Sequence, residues 1–266
     1  MRLASFRAVI WFVLRCPALS LSGQASPPKD RAWQLLRSAY GDSHSEKRAQ
    51  AVRVLGLLPG NNDALRMARA ALSDSNPEVR AAAATAMEEL RCGSCIPDLR
   101  KALQDKDPVS VLAAAHALRS LGDPSAYEVY YAVLTGERKA DRGLIAGQEE
   151  MLKDRRKMAV FGFEQGIGFV PFGSIGWGLI KTIASDDASP VRASAAAVLA
   201  DDPDPQSGDA LAKAVNDKSW VVRAAAISAL AKRGDPRWLD PVVSALSDSH
   251  EVVRMTAAAA VIHLSR

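Results

Sequence analysis

Cys92 and Cys95 stand in the run Arg91-Cys92-Gly93-Ser94-Cys95-Ile96-Pro97, a C-x-x-C spacing that supports dithiol chemistry. Cys95 comes just before an expected helix start, where the helix dipole favours a thiolate. Redox dithiols usually sit in a βαβ setting, which this sequence lacks. Three readings stay open for the pair: a local disulfide staple in an oxidising compartment, two separate thiols with Cys95 in a small core position, and redox catalysis. Neither His nor Cys nearby completes a metal-ligand set. Of the four histidines only His250 precedes a glutamate, Glu251, and no nucleophile motif accompanies any of them. The expectation is therefore a chain with no catalytic residue, no metal and no cofactor.

A second group is apolar. Phe161, Phe163, Phe169, Phe172 and Trp177 are interleaved with Gly162, Gly166, Gly168, Gly173, Gly176 and Gly178 in a short stretch. Glycine permits tight turns and close approach, and aromatic rings carry the largest apolar area per side chain. Such a stretch can plug a gap in packing, present hot-spot side chains to a protein or peptide partner, or insert into a membrane surface. The glycines do not fit the spacing of a phosphate-binding loop, and no strand precedes them. Pro171 makes the run a poor membrane-spanning helix.

The elements that must position these groups repeat. Asp42, Asp74, Asp105, Asp186, Asp217 and Asp248 open copies of one pattern, at intervals of 32, 31, 81, 31 and 31 residues. Each strong copy carries Val-Arg, an alanine-rich run and a large apolar residue: Val79-Arg80 to Met87, Val191-Arg192 to Leu199, Val222-Arg223 to Leu230, Val253-Arg254 to Val261. Asp42 carries Lys47-Arg48, and Asp105 carries Ser110-Val111, so those copies are weaker. A fixed period in this range marks a solenoid whose units bury their apolar faces only against neighbours. Alanine is the strongest helix former, and Asn76-Pro77, Asp107-Pro108 and Ser189-Pro190 supply a cap followed by proline at the first helical position. The Arg and Asp positions (Asp74, Arg80, Asp186, Arg192, Asp217, Arg223, Asp248, Arg254) read as a structural ladder between units rather than as a basic binding strip.

The D-x-x-x-x-V-R-x-x-A-A-x-A-L pattern resembles the short HEAT-type repeat named after phycobilisome lyases, over most of residues 30–266. The resemblance implies an all-α, right-handed α-solenoid of about seven stacked helix pairs with one Gly/aromatic-rich insertion. It says little of function, because such arrays serve as adaptors, inhibitors and occasional enzymes. The HEAT-like deoxyhypusine hydroxylases hold a di-iron site with several His-Glu dipeptides, and the single His250-Glu251 cannot build one. Phycobilisome lyases suggest as an alternative an accessory lyase-like role, or one that binds a tetrapyrrole or other hydrophobic ligand.

Residues 1–25 read as an export signal, with Arg2 and Arg7 at the start, the apolar run Ala8–Leu14 and small residues at Ser22-Gly23-Gln24-Ala25. The expected location is periplasmic or secreted. The chain has a formal charge of +4, and removing Arg2, Arg7 and Arg15 leaves 31 basic against 30 acidic residues. That balance gives no electrostatic footprint for nucleic acid. The expected divisions are repeats over 26–135, an insertion and degenerate repeat over 136–184, and repeats over 185–266. The last helix is expected to leave a face open, as a dimer or partner contact or solvated by a few polar side chains. The functional expectation is a non-catalytic scaffold binding another protein or peptide through its surface and the aromatic insert.

Overall fold

The computed structural model describes residues 26–135 and 189–265, and all of their regular structure is helical. Twelve α-helices are present there: α1 Pro28–Tyr40, α2 Ser45–Val54, α3 Asn62–Ala71, α4 Pro77–Glu89, α5 Ile96–Ala102, α6 Pro108–Ser120, α7 Ser125–Thr135, α8 Ser189–Leu199, α9 Pro205–Ala214, α10 Trp220–Arg233, α11 Leu239–Ser244 and α12 Glu251–Leu264. The expected leader and the insertion lie outside the described residues.

Local chemistry sets the helix starts. The side chains of Asn61, Asn76, Asp107 and Asp204 accept backbone N–H groups at the first turns of α3, α4, α6 and α9. Proline occupies the first turn of α4, α6 and α9, where a missing N–H is harmless. α10 ends at Gly234, whose φ of 67° is the left-handed conformation that closes a helix and favours glycine.

Helices pair as α1·α2, α3·α4, α5·α6, α9·α10 and α11·α12, and the second helix of each pair stacks on its counterpart. α4 lies between α2 and α6, and α10 lies between α8 and α12. These inner helices are alanine-rich because they are enclosed on nearly all sides. In α10, Val221, Val222 and every residue from Ala224 to Ala231 are buried; in α12, Val253, every residue from Met255 to Ile262, and Leu264 are buried. A helix enclosed all round cannot show a one-sided apolar stripe. Short side chains let neighbouring axes approach closely.

The array is an α-solenoid whose last unit does not end in solvent. α12 packs on α1 and also touches α2. Lys29 Nζ donates to the Ser265 carbonyl at 3.4 Å, so α1 and α12 run antiparallel, while Lys47 Nζ lies 3.8 Å from Glu251 Oε1 at the first turns of α2 and α12. The face of α12 expected to stay open is instead covered by α1, through the buried stripe Ala32, Leu36 and Ala39. The physical reason is the composition of α12, whose buried residues surround the helix and demand a neighbour on each side.

Candidate functional site

The ladder is built from one repeated contact. Arg48, Arg80 and Arg223 sit in the first turns of α2, α4 and α10, and each uses Nη1 to hold the carbonyls that open its own unit: Asp42 and Ser43, Asp74 and Ser75, Asp217 and Lys218. The other edge of each guanidinium, Nε and Nη2, grips the opener of the next unit. Arg48 reaches Asp74 at 2.9 and 2.8 Å, Arg80 reaches Asp105 at 2.6 and 2.8 Å, and Arg223 reaches Asp248 at 2.7 and 2.7 Å. Arg192 bonds Asp217 through Nη1 and Ser189 Oγ through Nη2. Asp186 lies outside the described residues.

Each opener also accepts the N–H two residues on, as Asp74 does from Asn76 and Asp248 from His250. Arg48 holds the Asp74 carboxyl below the usual carboxylate range. Burial pushes Asp105 and Asp248 up, but Arg80 and Arg223 outweigh it and keep both low. Bidentate Arg–carboxylate pairs are the strong, geometrically specific kind. Their place in successive units makes them staples along the stack.

Residues 32–94, 66–144 and 178–262 match the family described as HEAT repeats. This chain belongs to the HEAT-repeat family. Among solved structures its HEAT array is similar to human deoxyhypusine hydroxylase in complex with glycerol, at 18% identity over 90% of this chain and 97% of that one, with a TM-score of 0.36. It is also similar to an engineered protein (16% identity, 89% of this chain and 96% of that one, TM-score 0.29) and to a designed armadillo repeat protein (16% identity, 90% and 100%, TM-score 0.27). No curated protein matches it.

Between the second and third HEAT units, Cys92 and Cys95 are joined by a disulfide in the turn that leads into α5. The pair is thus bonded as a local staple rather than present as two separate thiols. Among the described residues no group of three or more His, Cys, Asp or Glu side chains is arranged to hold a metal ion. None of the described helices is long and apolar enough to cross a membrane. Phe161, Phe163, Phe169, Phe172 and Trp177 lie outside the described residues.

Several polar residues that the repeat pattern does not single out are brought together by the stacking. Glu89, at the end of α4, lies against the backbone of Gly56, where an added Cβ would fall 2.1 Å from Glu89 Oε2. Among the described residues its buried Oε1 has no hydrogen-bond partner. Burial pushes the Glu89 carboxyl up to about 7, with Lys232 and Arg53 opposing and Glu88 adding to the rise. Lys232 belongs to α10 and Arg53 to α2, so this carboxyl sits where the two halves of the array face each other. On the outer helices Arg100 Nη2 bonds Asp123 Oδ2 at 2.6 Å, and Arg100, then Ser125, hold the Asp123 carboxyl down to about 2. His116 Nδ1 lies 2.9 Å from Glu88 Oε2, and His250 stacks on Trp220 at 3.9 Å between ring centres. In the sequence Glu89 is the second of two adjacent acids that end α4, and the repeat pattern does not set it apart.

Proposed function

We propose that this protein is an exported, non-catalytic HEAT scaffold, built of short repeats of the phycobilisome-lyase type, that binds another protein or peptide through its surface. The observation that carries the reading is the placement of the exposed large apolar side chains among the described residues. Val109 on α6, Tyr127 and Tyr131 on α7 and Val198 on α8 are 52%, 63%, 62% and 73% exposed. Tyr127, Tyr131 and Val198 lie on the two helices that flank residues 136–188, the stretch holding the aromatic residues expected to share the contact, and Val109 lies on α6, which packs on α7. Tyr127 and Tyr131 are one turn apart and share a helix face. Tyrosines so placed are typical anchors at protein interfaces. Export is supported by the Cys92–Cys95 disulfide, a bond that persists in oxidising compartments.

Photo-crosslinking from positions 127 and 198 of the exported protein tests the reading. Adducts of defined mass that are lost on Tyr131→Asp support a protein partner. Absence of adducts, together with a visible absorption band in the purified protein, would turn the reading toward a bound hydrophobic cofactor such as a tetrapyrrole.

A further inference from the structure

The ladder has one rung without an acid. Arg254 Nη1 donates to the carbonyls of Asp248 at 2.7 Å and Ser249 at 3.0 Å, the same clamp that fixes Arg48, Arg80 and Arg223. Its guanidinium is therefore held in the orientation that points Nε and Nη2 along the stack. For the other three that fork meets the carboxylate of the following unit. The unit that follows α12 in space is α1·α2, whose opener is Asp42. Asp42 is turned into its own loop: Oδ1 accepts His44 N at 2.8 Å and lies 2.8 Å from His44 Nδ1, and Oδ2 lies 3.4 Å from Lys47 Nζ. Glu251, one turn before Arg254, faces Lys47 instead. Among the described residues the Nε–Nη2 edge of Arg254 has no carboxylate partner, and the side chain is half-buried.

We propose that Arg254 is a receptor for a carboxylate from outside the chain, an aspartate or glutamate side chain of an acidic peptide segment. The clamp on Nη1 removes most of the side-chain freedom that an exposed arginine loses on pairing, so the fork is organised before the ligand arrives. The acceptor it is shaped for is the one its three counterparts hold, a planar carboxylate taken by two parallel N–H groups. Glu251, one turn before Arg254, repels a dianion more than a monoanion, which favours carboxylate over phosphate. Lys47 lies 3.8 Å from Glu251 and offsets part of that charge. The proposal deepens the scaffold reading, on which it rests for the carrier of the carboxylate, and the geometry stands apart from that reading.

The test observes the arginine Nε–Hε resonances of the full chain during titration with N-acetyl-aspartate amide at constant ionic strength. N-acetyl-asparagine amide and inorganic phosphate serve as the comparison probes. Arg254→Lys, which keeps the charge and loses the fork, identifies the resonance. The expected result is a saturable downfield shift of the Arg254 signal, several times that of exposed Arg91, with the aspartate probe and not with the asparagine probe. The ladder signals of Arg48, Arg80 and Arg223 stay in place. A shift no larger than that of Arg91 overturns the proposal, as does a response to phosphate but not to aspartate. If the shift appears but position 127 gives no adduct, the carboxylate site stands and the scaffold reading fails; adducts with no shift give the reverse.

Discussion

The seam between α4 and α6 and the seam between α12 and α1 hold the same kind of helix by different means. At the first, Arg80 and Asp105, 9% and 13% exposed, staple one unit to the next beside a row of buried alanines. At the second, among the described residues, the staple is missing, and α12 meets α1 through apolar side chains, with polar contacts at the rim from Lys29 to Ser265 and, on neighbouring α2, from Lys47 to Glu251. The difference teaches what the Arg–Asp pair contributes. It fixes the register of units that follow one another in the chain, whereas the closing seam joins segments far apart in sequence and relies on shape and burial.

If that contrast is right, the closing seam is most sensitive to lost volume. Leu36 is fully buried in the stripe that α1 presents, and Leu36→Ala removes its methyl groups and leaves a cavity. A loss of about 4 kcal/mol in urea unfolding is expected, within the range for buried leucine. A loss under about 1 kcal/mol would mean that α1 is a loosely held appendage. At the stapled seam the corresponding change is Arg80→Ala, which leaves Asp105 largely buried with, among the described residues, only its turn N–H as partner. Breaking one side of such a pair costs about 3 kcal/mol. The double variant Arg80→Ala/Asp105→Ala is expected to recover part of that loss, since no orphaned charge remains.

The staples were legible in the sequence because they repeat. Arg80, Arg223 and the openers Asp74, Asp217 and Asp248 stand at the same offsets within their units, and a residue type that returns at a fixed place in the unit reports a structural need of each unit. The closure was not legible. Lys29 and Ser265 are 236 positions apart, and neither belongs to the repeat. Only the lack of a polar face on α12, whose buried residues run continuously from Met255 to Ile262, signalled that something covers it. Glu89 was hidden for a similar reason, because its environment is made by Gly56 and by charges on α2 and α10 that only the folding of the array brings near.

Glu89 sharpens the comparison through pH. Its folded value of about 7 lies above the ordinary glutamate value of 4.5, so the folded state holds the proton more tightly than the unfolded chain. The stability this confers is fully present below the unfolded value near 4.5 and is lost as pH rises through about 7. The ladder acids behave in the opposite sense. Asp74, Asp105 and Asp248 are held low, so their contribution is present above the ordinary carboxylate range and is lost as pH falls below it. Glu89→Gln is expected to flatten the alkaline limb between pH 5 and 8, gaining about 2 kcal/mol at the upper end. The acid limb should be unchanged. A variant whose alkaline limb keeps the wild-type slope would place the titrating group elsewhere.

The smallest expected effect is the most informative about the missing rung. Arg254 makes the Nη1 clamp but, among the described residues, closes no ion pair to a following unit, so Arg254→Ala gives up two hydrogen bonds to loop carbonyls and leaves no acid behind. A change of about 1 kcal/mol is expected in urea unfolding, below that of Arg80→Ala. A loss approaching that of Arg80→Ala would mean that the fork is already satisfied within the chain and that the closing seam is stapled after all. A small loss leaves the arginine with the ladder's geometry and without its structural duty. A side chain held in register at little benefit to stability is then explained by what it is held in register for.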